Sequence, residues 1–368
     1  MHMKIAAIEV IPLRIPYTYG ARRAVGGGQH IPALDYVLLR VETDQGLVGW
    51  GEAFAYNSRD AVAAATRSMV APRAIGADVA DIAGLTRRLQ QELHIFGRYG
   101  ITMHAISGLD IALWDIAGKL AGRPLVALLG GGGRTSLAAY ASLYKYADAE
   151  AVAARAAQAM QEGYGQIKLH ETAIAEVARV RETIGPDVPL MLDTNCPWTP
   201  EEARRMARLL APFDLHWLEE PIFPPEDFVA LAALGRASGI PIAAGENACT
   251  AFQFQAMFDA GAVAYAQPSV TKVGGITEFL KVAALAETHG VALAPHSPYF
   301  GPGLLATLQL AAARPIETVV EVFHLDREAC LFGAATMPAR GRLPVPAGPG
   351  LGLDPDPDVI KTYRVAEA

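Results

Sequence analysis

Apolar and polar positions alternate along three segments near the N-terminus, which is the period of β-strands. Residues 4–14 form the first segment, and residues 36–54 form a pair joined by a turn at 43–46. From Asp60 to Leu120 the spacing changes to that of helices, the last of which ends at Gly122 and Pro124. The first third of the chain therefore predicts a small antiparallel sheet followed by helices, an α+β unit.

After the glycine-rich stretch 130–133, short apolar runs alternate with helical segments. One helix has a full start signal in Thr199, Pro200 and Glu202, and another runs from Ile276 to a stop at Gly290. The predicted strands are 137–143, 166–170, 189–195, 215–220, 241–247, 262–268, 291–297 and 318–323. Strands that alternate with helices in this way predict parallel βα units, and eight units predict a closed (β/α)8 TIM barrel. A doubly wound open sheet is the alternative.

The composition argues against some kinds of binding partner. The 368 residues include 31 basic and 38 acidic side chains, a net charge of −7 without a basic block, which argues against nucleic-acid binding. Gly, Pro or a charge interrupts every apolar run before a membrane-spanning length, and the N-terminus lacks the pattern of a signal peptide. The three cysteines are widely spaced, as expected for reduced thiols. We therefore expect a cytoplasmic protein with no membrane and no nucleic-acid partner.

Three consecutive predicted strands end in carboxylates: Asp193, Glu219 and Glu246. Their spacing is about one βα unit, so in a barrel the three side chains would converge on the rim formed by the carboxyl ends of the strands. Three ionised carboxylates repel one another unless a cation lies among them, and oxygen ligands suit a hard ion such as Mg²⁺. The alternative is that each carboxylate is separately paired or caps a helix.

Basic residues stand at the ends of the flanking strands. Lys168 and His170 are two apart and share one strand face, which in a barrel is the interior. Lys272 follows the sixth predicted strand, His296 ends the seventh, and Glu321 lies on the eighth. A buried lysine is costly without a partner or a task, so the sequence predicts that these residues belong to the same site as the carboxylates.

These residues resemble the enolase superfamily and, within it, the mandelate racemase branch of the mandelate racemase/muconate lactonizing enzyme family. The motifs that carry the resemblance are Gly49-Trp50-Gly51-Glu52, the run 107–131, Lys168-x-His170, Asp193-Thr194-Asn195, Trp217-Leu218-Glu219-Glu220-Pro221, Gly245-Glu246-Asn247, Lys272-Val273-Gly274-Gly275, His296 and the tail 348–354.

The resemblance implies a modified (β/α)8 barrel, (β/α)7β-like, with an N-terminal α+β capping domain. We expect the cap at residues 1–128, the barrel at 129–325 and a C-terminal segment returning to the cap at 326–368. It also implies Mg²⁺ on the three carboxylates and abstraction of the proton α to a carboxylate, giving a metal-stabilised enediolate.

The resemblance further implies roles for single residues. His170 stands where family members place the base, beside Lys168, which in the family contacts the substrate carboxylate. His296 would act as an acid from the opposite face of the substrate. The expected substrate-binding residues are Asn195, Lys272, Glu321, Tyr299 and, in the glycine-rich segment 17–30, Arg22 and Arg23.

One position departs from the pattern of the branch. Racemases and many acid-sugar dehydratases orient the seventh-strand histidine with an aspartate from the sixth strand, whereas this chain has Ser269 there. A serine can hold a ring N–H but cannot stabilise an imidazolium as a carboxylate does. We therefore expect His296 to act as a neutral donor or weak acid.

The sequence thus predicts a Mg²⁺-dependent enzyme that acts on a small hydroxy-carboxylate, with an acid-sugar dehydratase as the first choice. A racemase, epimerase or cycloisomerase of the same family is the alternative, and a non-catalytic binding barrel a remote one. Such a barrel is expected to form a homo-oligomer.

Overall fold

The fold is known from a computed structural model that describes residues 3–20, 32–316 and 318–366. The N-terminal part contains three antiparallel strands, β1 Ile5–Thr18, β2 Ala33–Thr43 and β3 Val48–Ala53. Its helices are α1 Arg59–Ala65, α2 Ala71–Ala74, α3 Ile82–Glu92, α4 Ile101–Ala121 and α5 Leu125–Leu128, with a π-turn at Thr66–Val70 and a 3₁₀ turn at His94–Phe96. The predicted sheet followed by helices is confirmed.

Strand β3 lies against helix α4 at very short range, and two glycines make this possible. A Cβ added to Gly51 would lie 1.9 Å from the carbonyl oxygen of Gly108, and one added to Gly49 would lie 2.3 Å from that of Ala112. Since side chains alternate along a strand, Trp50 and Glu52 point away from the helix. Glu52 therefore faces the barrel, where it accepts a hydrogen bond from the Gly303 N–H group.

Eight parallel strands form the barrel: β4 Ser136–Ser142, β5 Ile167–Leu169, β6 Leu190–Asp193, β7 Leu215–Glu219, β8 Ile242–Ala244, β9 Tyr265–Ala266, β10 Ala292–Leu293 and β11 Val320–Phe323. They correspond to the eight predicted strands. Their spatial order follows the chain from β4 to β10, and β11 pairs with β4. A doubly wound sheet reverses its strand order midway, so the barrel prediction is confirmed and the open-sheet alternative is wrong.

Helices follow the strands on the outside of the barrel: α6 Ala149–Gln161, α7 Ile174–Ile184, α8 Pro200–Leu210, α9 Phe228–Ser238, α10 Thr250–Asp259, α11 Gly275–His289 and α12 Pro302–Ala313. A 3₁₀ turn, Ala211–Phe213, follows α8. The predicted capping box of α8 is present, with Thr199 accepting from the Glu202 N–H while the Glu202 carboxylate accepts from the Thr199 N–H.

The C-terminal segment runs back to the N-terminal part. It contains β12 Asp326–Arg327, a 3₁₀ turn at Gly333–Thr336, β13 Arg342–Pro344 and α13 Pro357–Tyr363. Strand β12 pairs with β1, and Asp354 lies 2.6 Å from the Lys119 ammonium of α4. The boundaries at residues 128 and 325 remain a prediction. In the part of the chain that the structure describes, no helix has the length and apolarity to cross a membrane.

Inside the barrel, side chains form layers because alternate residues of each strand point inward. The lower layer is apolar and contains Tyr140, Met191, Trp217, Ala243, Tyr265, Ala294 and Val319. Two residues further along their strands come Ser142, Asp193, Glu219, Gly245, Gln267, His296 and Glu321, joined by Lys168 of β5. The apolar layer therefore forms the floor beneath a layer of mostly polar groups.

Candidate active site

The three predicted carboxylates converge at the carboxyl end of the barrel. Asp193, Glu219 and Glu246 each offer an oxygen within 4.8 Å of the others, and Asp193 and Glu219 are buried. An all-oxygen set of this size fits a hard divalent cation. Burial raises the pKa of Glu219 well above its usual range, and the nearby charge of Asp193 raises it further. This mutual repulsion is what a bound cation would relieve.

Lys168 lies among these carboxylates and is fully buried. Its Nζ is 2.8 Å from Glu219, 2.8 Å from Glu321 and 3.4 Å from Asp193. Burial alone would lower the pKa of Lys168, but Glu219 and Glu321 outweigh it and hold that pKa well above its usual value. The lysine therefore carries a full positive charge at the bottom of the site.

His170 lies beside Asp193 and has a ring nitrogen that can accept a proton. Its Nδ1 lies 2.6 Å from the Leu143 carbonyl oxygen, which can only accept, so Nδ1 carries the hydrogen. The other nitrogen, Nε2, points to Asp193 at 3.3 Å. Burial acts to lower the pKa of His170, but Asp193 outweighs it and the pKa is raised. In the neutral ring, Nε2 holds the lone pair and is the atom that can accept a proton.

His296 approaches the carboxylates from another strand, with its Nε2 2.9 Å from Glu246. Its Nδ1 is buried and has no hydrogen-bond partner among the described residues. The Ser269 hydroxyl lies instead near the hydroxyls of Thr271 and Tyr299, at 3.3 and 3.4 Å. The serine therefore does not hold the imidazole. The Tyr299 hydroxyl donates to the His296 carbonyl, which fixes the backbone rather than the ring.

A cavity of about 410 Å³ opens above these groups. It is lined by Leu34, Asp35, Tyr36, Glu52, Phe54, Ala55, Tyr56, Tyr144, Lys145, His170, Asn195, Glu246, His296, Pro298, Tyr299 and Phe323. Both the N-terminal part and the barrel contribute to this lining. The structure thus brings Asn195 and Tyr299, two of the predicted substrate-binding residues, to the cavity wall.

Other predicted substrate-binding residues lie elsewhere. Lys272 is buried but does not line the cavity, and its Nζ lies 4.8 Å from the centre of the Phe54 ring, which does. Glu321 accepts a hydrogen bond from the Ser297 N–H and pairs with Lys168 beneath the cavity. Arg22 and Arg23 fall outside the described residues.

An aromatic wall that was not predicted from the sequence lines one side of the cavity. The Tyr144 ring centre lies 6.1 Å from that of Phe323, which lies 5.6 Å from that of His170. The Tyr144 hydroxyl is 3.0 Å from that of Tyr56 in the N-terminal part. Strand alternation could have identified Tyr144, which lies two residues beyond the inward-facing Ser142. The contact of Tyr56 with Tyr144 could not be predicted from the local sequence, because the two residues lie far apart in the chain.

Comparisons with known proteins agree with this geometry. Residues 27–130 match the sequence model described as "Mandelate racemase / muconate lactonizing enzyme, N-terminal domain", and residues 151–359 match the one described as "Enolase C-terminal domain-like".

Two curated relatives cover most of the chain. D-galactarolactone cycloisomerase of Agrobacterium fabrum is 34% identical over 90% of this chain and 92% of its own length. Arabinonate dehydratase of Saccharolobus solfataricus is 33% identical over 90% of this chain and 91% of its own length.

Among solved structures, L-talarate dehydratase from Polaromonas sp. JS666, complexed with Mg and L-glucarate, superimposes with a TM-score of 0.84 at 32% identity. The match covers 99% of this chain and 98% of that one. Fold, site and sequence agree, and the chain belongs to the mandelate racemase/muconate lactonizing enzyme family of the enolase superfamily.

Proposed function

We propose that this enzyme is a Mg²⁺-dependent acid-sugar dehydratase, which removes the proton α to a carboxylate and then a β-hydroxyl group as water. The observation that carries the proposal is the grouping of three carboxylates, a charged lysine and an oriented histidine beneath one cavity. Relatives whose names describe dehydratases and cycloisomerases of sugar acids support the substrate class.

In this proposal Asp193, Glu219 and Glu246 would hold the Mg²⁺ ion. When bound, Mg²⁺ supplies positive charge beside the substrate carboxylate, which makes the neighbouring C–H bond more acidic. The Lys168 ammonium adds a second positive charge from below.

The proton transfers belong to the two histidines. His170 Nε2 takes the α-proton, while its Nδ1–H stays on the Leu143 carbonyl. His296 in its protonated form gives its Nε2 proton to the leaving β-hydroxyl group and returns to neutral imidazole, so that water departs as the C–O bond breaks. The resulting enol becomes a 2-keto acid. Because no carboxylate among the described residues holds the charged ring at His296 Nδ1, His296 is better suited to giving up a proton than to taking one from the substrate, and we place elimination ahead of racemisation.

The experiment is a screen of sugar acids for 2-keto product with Mg²⁺ present. The proposal expects product from at least one sugar acid, loss of product with EDTA, and loss in His170→Asn and Glu219→Gln. Glu278→Gln is the matched control, because Glu278 is equally buried but lies on α11 and accepts from the Ala251 N–H. Full turnover by Glu219→Gln or without divalent cation would refute the metal assignment.

A cycloisomerase is the second candidate, and the aromatic wall favours it. Tyr144 and Phe323 offer flat rings beside His170, and such rings pack well against the C–H face of a cyclic sugar. In that case the leaving group is the oxygen of the ring, and no water is lost. Incubation with sugar-acid lactones decides between the two, because cycloisomerisation gives a product of unchanged mass.

Location in the cytoplasm and assembly into a homo-oligomer stay predictions from the sequence.

A further inference from the structure

The segment 143–147, which follows strand β4, touches the proposed base, the cavity and the N-terminal part at once. The Leu143 carbonyl oxygen accepts from His170 Nδ1, and Tyr144 and Lys145 line the cavity. The Tyr146 hydroxyl donates to the carbonyl of Tyr19, just beyond the end of β1. The position of these five residues therefore affects both the base and the place where the substrate would bind.

One side chain holds this segment from below. Glu171 is 1% exposed, and its carboxylate accepts from the Tyr146 N–H at 2.7 Å and from the Ala147 N–H at 3.2 Å. Ala147 has a φ of 52°, a left-handed conformation that is unfavourable for an alanine. The turn therefore adopts a strained shape while its two N–H groups are bound by one buried carboxylate.

Glu171 directly follows His170 in the chain, and both side chains form hydrogen bonds with backbone groups of the segment 143–147. His170 reaches up to the Leu143 carbonyl at the start of the segment, and Glu171 reaches to the N–H groups at its end. Neither the base nor the glutamate can shift without moving the same segment. Neutral histidine has two tautomers, and the carbonyl acceptor at Nδ1 selects the one whose lone pair is on Nε2.

We propose that Glu171 is a positioning residue for His170. By binding the turn at 146–147 it keeps the Leu143 carbonyl against His170 Nδ1, so that Nε2 is the proton acceptor. The same contact keeps Tyr144 in the cavity wall and Tyr146 on Tyr19. This inference rests on the proposed role of His170 as the base, although the positioning itself can be measured without a substrate.

The first measurement is the tautomer of His170 by ¹⁵N NMR of the histidine-labelled protein, with the signal assigned from His170→Asn. Wild type should show a single tautomer with hydrogen on Nδ1. Glu171→Ala should show a mixture of tautomers, and Glu171→Gln, which keeps an acceptor oxygen, should stay close to wild type. Glu278→Ala, which removes the contact of another buried carboxylate with a backbone N–H group at the start of α10, should leave the His170 signal unchanged.

The second measurement is turnover. Glu171→Ala should lower kcat by about 10-fold to 100-fold with a smaller change in KM, because a displaced base slows proton transfer more than binding. Adding Ala147→Gly to Glu171→Ala should recover part of kcat, since glycine adopts the left-handed turn without strain.

A folded Glu171→Ala variant with a wild-type His170 tautomer would overturn the proposal. If Glu171→Ala does not fold, Glu171→Asp decides in its place, because its shorter side chain cannot reach the Tyr146 and Ala147 N–H groups as Glu171 does. A wild-type His170 tautomer in that variant would also overturn the proposal. Absence of turnover by the wild type on every sugar acid would count against the proposed function alone, because the tautomer measurement needs no substrate.

Discussion

At the scale of single residues, the site depends on charges that are buried together. Lys168 has no exposed surface and contacts three carboxylates, two of which belong to the proposed metal site. Removing one partner of a buried ionic group leaves the others uncompensated, which is more damaging than losing an exposed pair. Lys168 therefore supports the fold as well as the proposed chemistry.

Replacing Lys168 by methionine tests this dual role. Without the ammonium, Glu219 and Glu321 lose their nearest cation, and we expect a loss of about 3 kcal/mol in the free energy of unfolding in EDTA. Added Mg²⁺ should restore part of it, since the cation replaces the missing positive charge near Glu219. Denaturant unfolding with and without Mg²⁺ measures the loss of stability and its recovery. An unchanged stability of the variant in EDTA would show that the ion pairs of Lys168 do not stabilise the fold.

Glu52 gives a second prediction, which concerns pH. Burial raises the pKa of Glu52 to about 7, although the N–H groups of Gly303 and Gly301 act to lower it. In the unfolded chain the same carboxyl titrates near its ordinary value of about 4.3. Between these two pH values the folded state binds more protons than the unfolded state, so stability falls as pH rises.

The variant Glu52→Gln should remove this part of the slope. Relative to wild type, it should gain stability as the pH rises from about 4.5 to about 7, by up to roughly 3 kcal/mol. Denaturant unfolding across that range measures the difference between the two proteins. An identical pH dependence in both would mean that Glu52 keeps an ordinary pKa in the fold.

Some features of the site could be predicted from the sequence and others could not. The grouping of Asp193, Glu219 and Glu246 was predictable, because each lies at the end of a barrel strand or just beyond it. The partners of Ser269 were not, since its hydroxyl turns to Thr271 and Tyr299 instead of His296. Which partner a buried hydroxyl takes depends on tertiary distances that no local pattern encodes.

At the scale of elements, strand β3 packs closely against helix α4 in the N-terminal part. Gly49 and Gly51 allow it, and Asp115 of the helix accepts from the Trp50 N–H at 2.9 Å. Glu52, on the opposite face of the strand, accepts from the Gly303 N–H at 2.8 Å at the start of α12. Strand β3 therefore connects the N-terminal helices to the barrel.

The variant Gly51→Ala should destabilise the protein by about 2–3 kcal/mol, because the added methyl group would lie 1.9 Å from the Gly108 carbonyl oxygen. Gly132→Ala is the matched control, since nothing lies within 4 Å of the position of its added Cβ. Thermal and denaturant unfolding measure both. Equal stability of the two variants would contradict the close approach of strand and helix.

Strands and helices with a regular spacing of apolar residues could be predicted from the sequence. The residues at which they end were harder to predict. All eight barrel strands were located, and the start of α8 followed from Thr199 and Glu202. Strand β1 was predicted to end at residue 14 but continues to Thr18. Its last residues, Tyr17 and Thr18, pair with β12 near the C-terminus, a contact from more than 300 residues away that gives no local signal.

At the scale of the whole molecule, the cavity exists because two parts of the chain meet over the barrel. The barrel supplies the carboxylates and histidines, and the N-terminal part supplies Leu34, Phe54 and Tyr56. The barrel groups at the cavity are thereby partly covered, and electrostatic contacts are stronger where less water surrounds them. A barrel alone would present the same acids and bases to open solvent.

We propose that the enzyme removes the proton α to the substrate carboxylate, and a deuterium label tests this step. A sugar acid found in the screen is labelled with deuterium at its α-carbon, and the label is followed by NMR and mass spectrometry. We expect a lower kcat/KM than for the unlabelled compound and loss of the deuterium to water, both dependent on Mg²⁺. A product that keeps the α-deuterium on its original carbon would show that the α-proton is not removed.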